Sequence, residues 1–176
     1  AILNAMLSRH RQVHVVLEHF SMPMQPIIDA FANGTLSLEH LVAEYAKIGT
    51  ESHDVMAYAP LLLLARRAYP RARLIAGFLP RPIAQIVMTE GLEVALSAAK
   101  REGYLSPEER CEGSEAHYDF FESLVTGREL HSGKARPGGL ARRLFPAQLI
   151  KSRAMGHRVC KLIEQIERRQ GGAGKE

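Results

Sequence analysis

Two short segments of this chain read as β-strand, in a sequence otherwise patterned for helix. Val13–Phe20 (VHVVLEHF) is compact and β-branched, which makes it the best strand in the chain. Arg73–Gly77 (RLIAG) is the second. Both are of the parallel type, because helical sequence lies between them. A parallel sheet buries both faces and needs helices on each side. Two strands alone do not make a stable one. The pair therefore predicts further strands, either in residues not present in this sequence or in a partner chain.

The remaining pattern is helical. Ala1–Arg11 places Ile2, Leu3, Met6 and Leu7 at helical spacing, with cations at its C-terminal end. Met24–Ala32 closes at Asn33-Gly34. Ser37 caps a helix running to about Ile48, with His40 where a capping box has an acid. Val55–Tyr69 is strongly apolar and ends at Pro70. Further helices are expected over Ile83–Glu90, Leu92–Arg101, Ala116–Val125 and Leu140–Arg169, the last interrupted at Phe145-Pro146. Ser106-Pro107-Glu108-Glu109 has the form of a helix start. Gly127–Gly139 is expected to be a mobile loop or boundary, and Gln170–Glu176 a flexible Gly-rich tail. The expected organisation is one α/β domain, mostly helical by content, over residues 1–169, followed by that tail.

At 176 residues the chain is sized for one domain, and its 46% hydrophobic content excludes disorder. No 18-residue run is free of charge, so no transmembrane segment is expected. A net charge of +4 suits solubility and an acidic partner without demanding nucleic acid. Cys111 and Cys160 are too few for a disulfide framework or a Cys-type zinc site. Ala1–Leu7 lacks the basic start of a signal peptide, so the sequence reads as a processed chain or an excised piece.

Ligands of open α/β sheets bind beyond the C-terminal ends of strands. That rule selects Glu18-His19-Phe20 and Gly77-Phe78 with Arg81. A carboxylate closing an apolar strand needs compensation if buried, so Glu18 is a metal ligand, a general base, or a structural hydrogen-bond acceptor. His19 offers an imidazole to iron, or packs half-exposed beside Phe20. His53, in the polar connector Gly49–Asp54, is a ligand candidate; alternatively it is solvated while Thr50 or Ser52 caps the next helix. Tyr58 is a candidate tyrosinate for ferric haem, or a core residue with its hydroxyl satisfied. Met22 and Met24 fill the core or line an apolar cofactor face. The C-terminal third is basic through Lys134, Arg136, Arg142, Arg143, Lys151 and Arg153. Dinucleotide, P-loop, zincin and serine-hydrolase motifs are all absent.

Val15–Leu36 (VVLEHFSMPMQPIIDAFANGTL) resembles the ChaN-like haem-binding family of the Tiki/EreA-like superfamily. The similarity continues through Tyr58–Leu62, Ala76–Arg81 and Phe145–Leu149, in the family's order. It implies a short parallel sheet with a helical sub-domain, haem or metal binding, and dimers. It also implies that the chain is the middle of such a domain, incomplete at both ends, because the family's His-containing flanking segments have no counterpart here. Glu18 maps onto the family's strand-end Glu; His19 stands where bacterial members usually have Met, and Phe78 where they have Asn. The Leu-Glu-His-Phe form is similar to eukaryotic relatives, which favours an organelle (chloroplast or mitochondrion). The leading expectation is a non-catalytic haem- or iron-binding protein with Arg81 on a propionate. The second is a structural subunit of a homo-oligomer or larger assembly. The third is a metal-dependent hydrolase, which needs three convergent metal ligands.

Overall fold

A computed structural model describes residues 2–48, 53–127, 129 and 139–172, with side chains to Arg169. The chain forms two compact units, Ala1–Arg81 and Pro82–Glu176.

In the first unit, helix α1 (Ile2–Arg9) buries Leu3 and Leu7 and leads into strand β1 (Val13–Ser21). A 3-10 turn (Met22–Met24) passes into helix α2 (Gln25–Ala32), with Pro26 in its first turn. Gly34, at φ 93°, takes the left-handed conformation that ends this segment. Helix α3 (Leu38–Ile48) starts as its sequence predicts. The Ser37 hydroxyl accepts from the His40 N–H at 3.2 Å and pairs with His40 Nδ1 at 3.0 Å, so the imidazole reaches the capping hydroxyl rather than the Ser37 backbone N–H that an acid would take.

The apolar stretch after it departs from one continuous helix. Val55–Tyr58 is a 3-10 turn, and helix α4 spans Ala59–Arg67. The cause is Pro60, which has no N–H to give the Met56 carbonyl; Ala59 donates to that carbonyl instead. Asp54 caps the turn, accepting from the Met56 N–H at 3.0 Å. Thr50 and Ser52, the expected caps, lie outside the described residues.

Strand β2 (Ala72–Phe78) pairs parallel with β1, Val13 opposite Ala72 through Leu17 opposite Ala76. The ladder then slips. Ser21 faces Phe78, so β1 carries two more residues than β2 over that interval, and the extra length falls on Glu18-His19-Phe20. The Val13 N–H donates to the Arg71 carbonyl at 2.7 Å, so Leu74 and Ala76 present their backbone groups to the opposite edge. There the Gln25 side chain substitutes for a strand. Its Nε2 donates to the Leu74 carbonyl at 3.0 Å, and its Oε1 accepts from the Ala76 N–H at 2.8 Å. Phe20, Met24, Ile28, Phe31, Leu41, Leu62 and Leu74 fill the core. The result is a mostly helical α/β arrangement on a short two-stranded parallel sheet.

The second unit is helical: α5 (Arg81–Thr89, whose first residue closes the first unit), α6 (Leu92–Arg101), α7 (Glu115–Thr126) and α8 (Leu140–Gly172). Ser106–Glu109 is a turn, not a helix start. The Glu109 carboxylate takes the Cys111 N–H at 2.7 Å and Cys111 turns to φ 52°, which diverts the backbone. Ser114 caps α7 instead. Pro146 lies inside α8, and Phe145 is the hub of an aromatic group with His117 at 5.1 Å and Tyr118 at 5.4 Å. Helix α8 runs through Gly172, beyond the expected start of the tail; most of Gly127–Gly139 lies outside the described residues.

Candidate functional site

The parallel pairing brings both strand ends to one side, with Ser21 facing Phe78. The slipped register sets the orientations there. Leu17 and Phe20 are buried, Glu18 is exposed, and His19 is half-buried. Glu18 is therefore not the buried carboxylate the apolar strand suggests; it lies on the face opposite buried Leu17.

His19 meets two further candidates. Its ring lies 3.8 Å, centroid to centroid, from Tyr58 at a tilt of 41°, and 4.9 Å from His53 at 74°. The residues singled out for iron ligation thus come together, although they arise from β1, the connector after α3 and the 3-10 turn before α4. Asp54 sets the turn that presents Tyr58. Tyr45 anchors His53 by accepting its backbone N–H at 3.2 Å. Sequence reasoning missed Tyr45; its signal was the spacing of four from Leu41, which puts both on the buried face of α3.

Two buried polar atoms at this end have no hydrogen-bond partner among the described residues, His19 Nδ1 and Ser21 Oγ. Such atoms are uncommon and point to a missing partner. Burial lowers the pKa of His19, neighbouring His53 lowers it further, and Glu18 opposes both. A neutral imidazole is the form that ligates metal.

A cavity of about 450 Å³ adjoins, lined by His53 and Asp54 together with Val42, Tyr45, Val55 and Met56. It falls within the ~300–1,000 Å³ range of small-molecule sites.

The other expected site residues are placed differently. Phe20 is fully buried and packs edge-on against Tyr45 at 5.5 Å. At Gly77 a Cβ would stand 2.5 Å from Val16 Cγ1 and 3.3 Å from the Leu17 carbonyl oxygen, so β1 occupies that space. Phe78 is half-buried beside Ser21, and Arg81 is exposed at the first position of α5. Met24 is core. Among the described residues, no group of three or more His, Cys, Asp and Glu is arranged to hold a metal, which is the set a hydrolase would need. Among the same residues, no helix is long and apolar enough to cross a membrane.

The model of the family described as haem-binding uptake, Tiki superfamily, ChaN matches residues 1–171. No curated protein and no solved structure matches significantly.

Proposed function

The chain belongs to the ChaN haem-binding uptake family of the Tiki superfamily, and from that premise we propose that it binds haem through the His19–His53–Tyr58 cluster as a non-catalytic carrier. One observation carries this reading. The His19 Nδ1 is buried without a hydrogen-bond partner among the described residues, in a ring that touches both an imidazole and a phenol. Imidazole and tyrosinate are both established ligands of haem iron, so the residues present fit the group. Bound haem supplies an iron centre and a large apolar ring. His19, Tyr58 and His53 would hold the iron through an imidazole or phenolate donor, and Val42, Val55 and Met56 would give an apolar wall that excludes water. Glu18, Phe20, Gly77 and Phe78 frame the same strand end, and Arg81 offers a guanidinium for a propionate.

Hemin titration of the purified chain tests this. A saturable Soret band at one haem per chain, weakened in His19→Ala and Tyr58→Phe, is expected. A spectrum indistinguishable from free hemin contradicts it.

A second reading is a structural subunit of a larger assembly, in an organelle. It is favoured by the sheet itself, which has two strands, so β1 has a strand neighbour on one side only among the described residues. Size-exclusion chromatography with light scattering tests it: a salt-resistant oligomer or a co-purifying partner supports it, and a monodisperse monomer argues against it.

A further inference from the structure

The opposite end of the sheet carries a concentration of arginines that the haem reading does not use. Residues 1–17 and 55–89 contain no Asp or Glu, yet they hold Arg9, Arg11, Arg66, Arg67, Arg71, Arg73 and Arg81. All but Arg81 fall where the chain enters the two strands. Helix α1 ends at Arg9 just before β1, and α4 ends at Arg67 just before β2. Parallel pairing sets these entries side by side.

Two of the arginines are engaged locally. Arg71 donates to the carbonyls of Leu7, His10 (3.2 Å) and Arg11 (3.4 Å), which closes the C-terminal end of α1. Arg66 donates to the carbonyls of Leu36 at 3.0 Å and Gly34 at 3.2 Å. Arg9, Arg11, Arg67 and Arg73 make no side-chain hydrogen bond or ion pair among the described residues. Two depressions hold most of this charge. One, of about 400 Å³, is lined by Arg9, His10, Arg11 and Arg71. The other, of about 440 Å³, is lined by Asn33, Arg66, Arg67 and Tyr69.

We propose that this end is a docking surface for an acidic segment of a partner protein, whose carboxylates seat in the two depressions. Three features select that partner. The cations are all arginine, whose planar fork takes a carboxylate in two parallel hydrogen bonds. The surface is concave, which suits protruding side chains better than a planar bilayer. Exposed Tyr69 (44%) and Met6 (41%) accompany the arginines, and arginine, tyrosine and methionine without lysine is the composition of protein interfaces. Nucleic acid fits less well, because no run of aromatics offers a stacking platform.

The basic C-terminal third is a weaker candidate because two of its described arginines, Arg142 and Arg153, are occupied. Arg142 lies 4.2 Å over the Tyr118 ring and 3.3 Å from Glu115. Arg153 donates to the Glu112 carbonyl at 2.8 Å.

The test is fluorescence anisotropy of a labelled oligo-glutamate peptide with the full chain, at low and high salt. The probe is expected to bind at low salt. Affinity should fall about tenfold or more in an Arg9→Glu/Arg67→Glu variant, as charge reversal at a complementary interface requires. Arg143→Glu, an exposed arginine of the other unit, should change it less than about twofold. An Arg9→Gln/Arg67→Gln variant with an unchanged melting curve separates lost charge from lost fold. No binding at low salt, or equal losses in the two Glu variants, overturns the proposal. Tighter binding to phosphatidylglycerol vesicles or duplex DNA than to the peptide also overturns it, in favour of a lipid or nucleic-acid surface.

Discussion

The two ends of the short sheet are built from different chemistry. Where the strands leave the sheet, His19, His53 and Tyr58 converge, and two buried polar atoms have no partner among the described residues. Where the strands enter, arginines gather; Arg66 and Arg71 satisfy backbone carbonyls, and Arg9, Arg11 and Arg67 are exposed with no partner among the described residues. Buried unbonded polar atoms are costly to leave in place. Exposed cations cost little on their own. The first arrangement therefore calls for a ligand that completes it, and the second tolerates a partner that comes and goes.

The largest way to break this contrast is to remove the donors. A His19→Ala/Tyr58→Ala double variant should lower haem affinity about a hundredfold or more, since losing even outer-shell support of a ligand costs about 10–100-fold. Hemin titration by absorbance measures it. The backbone beneath the site comes next. Gln25→Leu strips the Leu74 carbonyl and the Ala76 N–H of their side-chain partner, which should destabilise the first unit by about 1–3 kcal/mol, read in urea denaturation. Gly77→Ala drives a methyl into Val16 and the Leu17 carbonyl, for a similar loss of about 1–3 kcal/mol. At the entry end, Arg71→Ala uncaps α1 and should cost about 1 kcal/mol while leaving haem binding unchanged.

The smallest effect lies outside both ends and serves as a control. Burial, and secondly Lys161, lower the pKa of His157. The unfolded chain takes up the proton at about pH 6.5, before the folded chain does. The folded state therefore loses stability as pH falls below that value, and the loss levels off below the depressed folded pKa. The decline in urea midpoint between about pH 7 and 5 should be shallower in His157→Gln.

Much of the fold was legible because its signals are local. Both strands, the Ser37–His40 cap and the span of α6 follow from neighbouring residues. His19, His53 and Tyr58 were each legible as candidates, for the chemistry of their side chains. Their meeting was not, because it depends on a 3-10 turn that Pro60 imposes and on the register slip at Glu18-His19-Phe20. Over the same stretch Glu18 follows the alternation, opposite buried Leu17, whereas buried Phe20 departs from it. The charge distribution was legible in amount but not in place. Arg9 and Arg11 lie far in sequence from Arg67 and Arg73, and parallel pairing alone makes them neighbours. The C-terminal basic residues, adjacent in sequence, proved partly occupied by Glu115, Tyr118 and the Glu112 carbonyl.

The most direct measurement is one hemin titration, followed in the Soret region, on three chains: wild type, His19→Ala and Arg9→Glu/Arg67→Glu. The haem assignment predicts a saturable band in wild type and in the arginine variant, and a weakened or shifted band in His19→Ala. Identical spectra for wild type and His19→Ala, or loss of the band in the arginine variant alone, would contradict it.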